Sequence, residues 1–202
     1  MKKPPREPKP RRPAAETREH VLDVAHELFY WTGIRATGVD KVAAEAGVAP
    51  TALYRLFPSK DALVAAYVER AEQRYRQWFD GVTTDDGRSA AERVVALFDA
   101  LSQQVRPEFC RGCPFLMALT ELPDRELDAH RSSVRLKEWV RGRFKQLAKA
   151  HASSHSPKVD AALLADHLTL LFEGVYASVQ ALGAEGPAKR ARQLAAHLVG
   201  LR

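Results

Sequence analysis

The stretch "GVAPTALYRLFPSK", residues 47–60, decides the fold of this 202-residue chain. Its central eight residues, 51–58, are too few for a helix that is stable alone in water. Pro50 suits the first position of such a helix, because it has no amide proton to leave unpaired. Neighbouring helices must therefore hold this segment, and its exposed polar side chains are of the kinds that contact phosphates and base edges.

The residues just before this stretch predict a helix-turn-helix. A short helix begins near Gly38, since Thr37 stands three residues before Asp40 in an arrangement close to a capping box. Ala43 is small enough to let two helices cross closely, and Gly47 can adopt the positive φ that the turn requires. Apolar residues occur at the spacings that face both helices: Val39, Val42, Val48, Leu53 and Leu56.

The helix after the turn has one inward and one outward face. With Leu53, Leu56 and Phe57 turned inward, small and polar side chains lie outward. These are Thr51, Ala52, Tyr54 and Arg55. A face that is small near its N-terminus allows a helix to enter a major groove closely, which predicts a DNA-reading helix.

Helical periodicity continues along the chain, and no strand pattern of useful length interrupts it. Gly-, Pro- and Ser-rich breaks separate helices predicted near 17–33, 38–47, 50–58, 60–80, 88–105, 113–122, 125–150, 159–182 and 187–200. The predicted fold class is all-α with about nine helices. We expect a basic disordered arm (1–14), a helix-turn-helix DNA-binding domain (15–60) and a helical effector-binding and dimerisation domain (61–202).

Charge favours a polyanionic partner. The formal net charge is +6, and residues 1–60 hold 11 Lys and Arg against 7 Asp and Glu. The segment "MKKPPREPKPRRP" cannot fold by itself, and is either a solvated tail or an arm that follows phosphates or a minor groove. No apolar run approaches the ~20 residues of a membrane span, and nothing resembles a secretory signal. We therefore expect a cytoplasmic protein without a membrane partner.

The two cysteines form a C-x-x-C pair, Cys110 and Cys113. A zinc site would need two more ligands, and none lies close in sequence, so we predict no metal and no cofactor. A redox-responsive role for the pair stays open as an alternative. The sequence has no phosphate-binding glycine loop and no nucleophile elbow, so we expect no enzyme.

The segment "ALLADHLTLLFEGVYASVQAL" is apolar around most of its helical circumference. Such a helix needs partners on two sides, of which one can be a second copy of the chain. Small residues permit close approach, and the last helix adds further leucines. The predicted dimer interface comprises Leu171, Gly174, Ser178, Leu194 and Leu198.

The stretch "GIRATGVDKVAAEAGVAPTALYRLFPSKDAL" (33–63) resembles the signature of the TetR family of bacterial transcriptional regulators. This specific likeness covers about residues 15–65. The segment "CRGCPFLMALTELPD" (110–124) is also similar to one in some subfamilies. The resemblance implies a repressor that binds a pseudo-palindromic operator as a homodimer and is released by a small molecule. An architectural DNA-binding protein without an effector is the rival interpretation.

The resemblance also implies roles for individual residues. Thr37 would cap the second helix next to a phosphate, and the Tyr54 hydroxyl and Lys60 would contact other phosphates. Packing for Tyr54, and plain solvation for Arg55 and Lys60, are the alternatives. The predicted DNA-binding set is Arg35, Thr37, Lys41, Pro50, Thr51, Tyr54, Arg55 and Lys60.

The resemblance further implies a cavity for a small apolar or aromatic effector, lined by aromatic side chains with a few polar anchors. The predicted pocket comprises Phe98, Phe115, Glu121, Trp139, His167, Phe172 and Tyr176. The same aromatic residues could instead fill an ordinary core.

Overall fold

The computed structural model describes residues 13–154 and 159–201. Within these residues the chain forms nine α-helices and two short 3₁₀ helices, which confirms the predicted all-α class. The helices are α1 (Ala14–Thr32), α2 (Val39–Glu45), α3 (Pro50–Leu56), α4 (Lys60–Val82), α5 (Ala90–Gln104), α6 (Pro114–Glu121), α7 (Asp128–Ser153), α8 (Ala161–Leu182) and α9 (Ala191–Leu198). The predicted arm lies outside the described residues except for Pro13 and Ala14, and Ala14 already belongs to α1.

Three helices depart from their predicted bounds by three residues or more. One of them is α7, predicted over 125–150, which begins at Asp128 and ends at Ser153. Helix α1 begins at Ala14, three residues before the predicted start, and the backbone N–H of Gly33 closes it on the Phe29 carbonyl at 3.1 Å. The predicted last helix, 187–200, divides into a 3₁₀ helix at Pro187–Arg190 followed by α9. Over four residues, apolar spacing does not distinguish a 3₁₀ turn from an α-helical turn.

The described residues divide into two compact units, one up to Leu63 and the other from Val64 onward. In the first unit, α1, α2 and α3 share a core of fully buried apolar side chains. Its members include Val21, Leu22, Phe29, Val42, Leu53 and Phe57.

The second unit is built around α7 and α8, which pack along each other. Two ion pairs join these helices: Arg141 Nε lies 2.8 Å from Asp166 Oδ1, and Lys137 Nζ lies 2.7 Å from Glu173 Oε2. Helices α5, α6 and α9 complete the bundle together with α4 from Val64 onward, whose Phe79 contacts Phe144 and Phe172. Its centre is aromatic and fully buried, with Phe79, Phe98, Phe115, Phe144 and Phe172.

Among the described residues, one helical segment is long and apolar enough to cross a membrane by length and composition, namely Ala161–Glu185. The sequence prediction that no such run exists missed this segment. Within this segment, 39% of the most apolar 18-residue stretch is buried in the bundle. The core helix of a soluble protein meets the same criterion of length and composition. Both of its acidic residues before Gly183, Asp166 and Glu173, pair with basic side chains of α7.

Candidate nucleic-acid interface

The turn between α2 and α3 has the hydrogen bonds of a Schellman motif. The Gly47 N–H donates to the Ala44 carbonyl and the Val48 N–H to the Ala43 carbonyl, each at 3.0 Å. Gly47 has φ +64°, which confirms the prediction of a left-handed turn residue. Ala43 is buried beneath the turn. The chain therefore leaves α2 along a fixed path into α3.

Two contacts from α1, which sequence reasoning missed, hold this turn and helix in place. His20 Nε2 lies 3.1 Å from the carbonyl oxygen of Ala46, the last residue before Gly47. The Arg18 guanidinium lies over the Phe57 ring, 5.0 Å from its centroid, at the C-terminal end of α3. Neither contact could be predicted from the spacing of residues along the sequence, because each joins residues more than 25 positions apart.

Helix α3 exposes three of the four residues predicted to face outward, while the fourth, Ala52, is half-buried. It begins at Pro50, as expected, and its Leu53 side chain is buried, as is Phe57 just after its end. Four side chains point to solvent: Pro50, Thr51, Tyr54 and Arg55. The Tyr54 side chain is 46% exposed, which does not fit the alternative in which it packs between helices.

Basic residues flank this face within the first unit. Arg35 and Lys41 are exposed, on either side of the entry into α2. The Lys60 ammonium at the start of α4 donates to the Arg35 carbonyl oxygen at 3.4 Å, a long bond that uses one of three donors. Ser59 caps the same helix by accepting from the Ala62 N–H at 3.0 Å.

Thr37 requires a correction. The predicted capping box is absent, since Gly38 is the N-cap of α2 and no side chain caps it. The Thr37 side chain is fully buried, and its hydroxyl donates to the Leu28 carbonyl of α1 at 3.4 Å. The Thr37 hydroxyl therefore bonds a carbonyl of α1 instead of capping α2 as the sequence pattern predicts. Its side chain is not available for contact with a phosphate.

The residues predicted for the dimer interface all line one open groove of the second unit. This groove between α8 and α9 has a volume of about 670 Å³ and includes Leu171, Gly174, Ser178, Leu194 and Leu198. Leu170, at 70% exposure, and Leu194, at 47%, are among its apolar side chains. Exposed leucines this close together are typical of a surface that another protein covers.

Four of the seven residues predicted for the effector pocket, namely Phe98, Phe115, Phe172 and Tyr176, have rings packed in the aromatic core. The rings of Phe98 and Phe172 lie 5.8 Å apart, those of Phe172 and Tyr176 6.0 Å, and those of Tyr75 and Phe115 5.6 Å. Such edge-on contacts stabilise a core directly. Glu121 is half-buried at the end of α6.

One pocket prediction, His167, is wrong in placement, and another, Trp139, lies at the edge of the aromatic core. His167 is exposed and lines the groove between α8 and α9, on a different face of α8 from the buried Phe172. Trp139 is half-buried, and its ring contacts that of Phe79 edge-on at 5.3 Å. The guanidinium groups of Arg76 and Arg143 lie 4.9 and 5.8 Å from its ring centroid. Helical periodicity predicts which residues share one face of a helix, but not which neighbouring helix contacts that face.

A polar cluster adjoins the aromatic core. The Tyr176 hydroxyl donates to Gln104 Oε1 at 3.3 Å. Burial raises the pKa of Tyr176 well above that of an ordinary tyrosine, and nearby Cys113 raises it further. Burial, followed by the interaction with Tyr176, likewise raises the pKa of Tyr75. Both hydroxyls therefore stay neutral at physiological pH and act as hydrogen-bond donors inside the bundle.

Comparison with known sequences gives matches to two family profiles. The profile described as bacterial regulatory proteins, tetR family, matches residues 21–67. A profile described as a tetracyclin repressor-like C-terminal domain matches residues 90–195, more than half of the chain. The chain is also 30% identical over 107 residues to the HTH-type transcriptional regulator YjdC of Escherichia coli K12. That match spans about half of each protein, 53% of this chain and 56% of YjdC.

Solved structures agree over nearly the whole chain. A TetR-family transcriptional regulator from Streptomyces coelicolor superposes with a TM-score of 0.78 at 27% identity, over 92% of this chain and 93% of its own. A putative regulator of the same family from Streptomyces avermitilis gives 0.74 at 28% identity, over 92% and 99%.

Proposed function

We propose a function for this chain, which belongs to the TetR family of bacterial transcriptional regulators. We infer that it is a cytoplasmic repressor that binds a pseudo-palindromic operator as a homodimer. A small molecule would release it from the operator. The observation that carries the DNA-binding part is the exposed face of α3. It presents Thr51, Tyr54 and Arg55, and α3 carries no acidic residue. A short helix held by the Schellman turn and by α1 can enter a major groove as a rigid probe.

Contacts to base edges in the major groove of DNA and contacts to the phosphate backbone of DNA have different roles. Arg55 and Thr51 are the proposed base-edge contacts, since both point outward from α3. Tyr54, Lys60, Arg35 and Lys41 are the proposed phosphate contacts, which position the helix without reading sequence. Pro50 allows close approach at the start of α3, while Thr37 contributes no side-chain contact because it is buried.

A dimer is proposed because one helix-turn-helix reads too few base pairs to be specific. Two copies related by a two-fold axis would read half-sites about one helical turn, ~34 Å, or a multiple of it apart. The apolar groove between α8 and α9 suits a self-complementary contact. Its small residues, Gly174 and Ser178, let two α8 helices approach closely.

Release by an effector is proposed as a population shift. A small apolar or aromatic molecule that inserts among the rings of the second unit would favour a different spacing of the two recognition helices. A change from mostly bound to mostly free operator needs about 3–5 kcal/mol of differential affinity. The support is the profile match over residues 90–195 and the neutral hydroxyls beside the aromatic core.

Selection of bound fragments from a random DNA pool, followed by footprinting, tests this function. We expect one protected pseudo-palindrome, and deletion of the protein in its own host should raise transcription of the adjoining gene. Uniform coating of DNA without sequence preference would show an architectural protein instead. A thermal-shift screen of apolar and aromatic compounds then tests the effector, because a compound that raises Tm should also weaken operator binding.

A further inference from the structure

The loop that enters α6 places two thiols in an unusual setting. Cys110 and Cys113 are both unbridged, at 7% and 2% exposure. Cys113 is the N-cap of α6, and its side chain makes no capping hydrogen bond. The Lys137 ammonium donates instead to Cys113 Sγ at 3.1 Å. Lys137 and the N-terminus of α6 both place positive charge beside this sulfur, one of the two features, with exposure, that reactive cysteines share.

Lys137 is itself held in position. Its ammonium lies 2.9 and 2.7 Å from the two carboxylate oxygens of Glu173 on α8. The lysine side chain is 20% exposed and the glutamate 26%, so the pair is largely shielded from solvent. Cys113, Lys137 and Glu173 thus join α6, α7 and α8 through one polar cluster.

The second thiol lies nearby. Cys110 Sγ is 3.8 Å from the Gly112 carbonyl oxygen, and both cysteines affect the pKa of the Tyr176 hydroxyl, after burial as the main cause. Among the described residues, no group of three or more His, Cys, Asp or Glu side chains could hold a metal ion. The C-x-x-C spacing permits a bridge within the loop.

We propose that Cys110 and Cys113 form an oxidation site, at which a hydroperoxide converts the two thiols into an intrachain disulfide. The Cys113 thiolate attacks one peroxide oxygen, an S–O bond forms as the O–O bond breaks, and the leaving oxygen takes a proton to depart as water or an alcohol. Cys110 then attacks the Cys113 sulfur, the S–S bond replaces the S–O bond, and hydroxide leaves with the Cys110 proton as water. The two sulfurs supply the two electrons that reduce the peroxide.

Access favours this class of oxidant. Hydrogen peroxide is close to water in size, whereas the shielded sulfurs leave little room for a bulky disulfide such as oxidised glutathione. Cys113, the thiol that the peroxide must reach, is only 2% exposed, so a small oxidant is required.

The disulfide would act on α8 through Gln180. Gly112 has φ +137°, and a Cβ added there would lie 2.7 Å from Gln180 Oε1, so the loop backbone lies directly against this side chain. A bridge that moves the loop must also move Gln180, two residues beyond Ser178 of the proposed dimer groove. This regulatory consequence rests on the proposed function; the oxidation site does not.

The test follows the full-length protein by intact mass and thiol titration during treatment with hydrogen peroxide. We expect loss of both thiols as an internal bridge that dithiothreitol reverses, and no such bridge in Cys110→Ser or Cys113→Ser. Lys137→Met should slow oxidation several-fold, while Lys149→Met, an exposed lysine of the same helix, should leave the rate unchanged. Retention of both thiols in the wild type, or an unchanged rate in Lys137→Met, would overturn the site.

The variant Glu173→Gln distinguishes an effect of the Lys137 charge on Cys113 from an effect of the ion pair on the fold. It breaks the same ion pair as Lys137→Met but keeps the ammonium beside Cys113, so the oxidation rate should be kept or increased. Equal slowing in both variants would show that the pair only holds the fold. Operator affinity measured before and after oxidation is a separate readout: an unchanged affinity of the bridged form contradicts the link to α8, and failure of the reduced form to bind any operator contradicts the proposed function.

Discussion

At the scale of single residues, Gly47 has the clearest conformational role. Its φ of +64° is strained for residues that carry a Cβ, while nothing lies within 4 Å of the position where that Cβ would be. The requirement therefore comes from the backbone and not from crowding.

Gly47→Ala should reduce the free energy of unfolding of the first unit by about 1–2 kcal/mol, the cost of a left-handed conformation for an L-residue. Gly47→Asn should lose clearly less, since asparagine tolerates this conformation better. Chemical denaturation of both variants measures the difference. Equal losses of stability in the two variants would mean that packing, and not the positive φ, requires glycine at position 47.

Tyr54 and Lys60 are the residues whose proposed phosphate contacts can be counted. The double variant Tyr54→Ala with Lys60→Ala removes two contacts per subunit, or four per dimer. The two Lys60 charges of the dimer should account for a fall of roughly 2 units in the slope of log affinity against log salt concentration, on all DNA sequences. Loss of the neutral Tyr54 hydroxyl should lower the affinity without changing this slope. Lys149→Ala, which removes the same charge from an exposed position on α7, is the control. A slope unchanged from the wild type would refute the Lys60 contact, and an affinity equal to that of Lys60→Ala alone would refute the Tyr54 contact.

At the scale of elements, helix ends show what local sequence can and cannot specify. The stop of α1 at Gly33 and the start of α3 at Pro50 follow from residues at those positions, and both were predicted. The cap of α5 is a full capping box that sequence reasoning missed although its signal is local. Ser89 Oγ accepts from the Glu92 N–H at 3.2 Å, and Glu92 Oε2 accepts from the Ser89 N–H at 2.7 Å.

Ser89→Ala should lower the free energy of unfolding by about 1 kcal/mol, because it leaves an N-terminal amide of α5 without its acceptor. Ser102→Ala is the matched control on the same helix. The Ser102 hydroxyl bonds the Asp99 carbonyl within the helix, at 2.6 Å, so its removal should be neutral or slightly stabilising. Thermal unfolding of the two variants compares them, and a loss in Ser102→Ala as large as in Ser89→Ala would exclude capping as the cause.

At the scale of the whole molecule, the exposed leucines of α8 and α9 are the feature that a single chain leaves unexplained. Leu170 is 70% exposed within the apolar groove. In a two-fold contact each leucine would be buried twice per dimer, so one substitution changes the interface at two places.

Leu170→Asp should therefore convert the proposed dimer to folded monomers, because it would bury two carboxylates in an apolar contact. Leu116→Asp, at a half-exposed leucine of α6, should remain dimeric. Sedimentation equilibrium gives the mass of both variants, and circular dichroism shows whether they fold. A Leu170→Asp protein that stays dimeric would place the interface elsewhere.

The sequence by itself determined the helices, the turn at Gly47 and the outward face of α3. Each depends on residues within one or two helical turns of each other, whose propensities and spacing act locally. The tertiary structure alone decided the partners: the Leu28 carbonyl that takes the Thr37 hydroxyl, the two guanidinium groups around Trp139, the exposed groove that holds His167, and the lysine beside Cys113. Those contacts depend on the direction in which one helix crosses another, and a periodic pattern shows which residues share a face but not which helix will cover it.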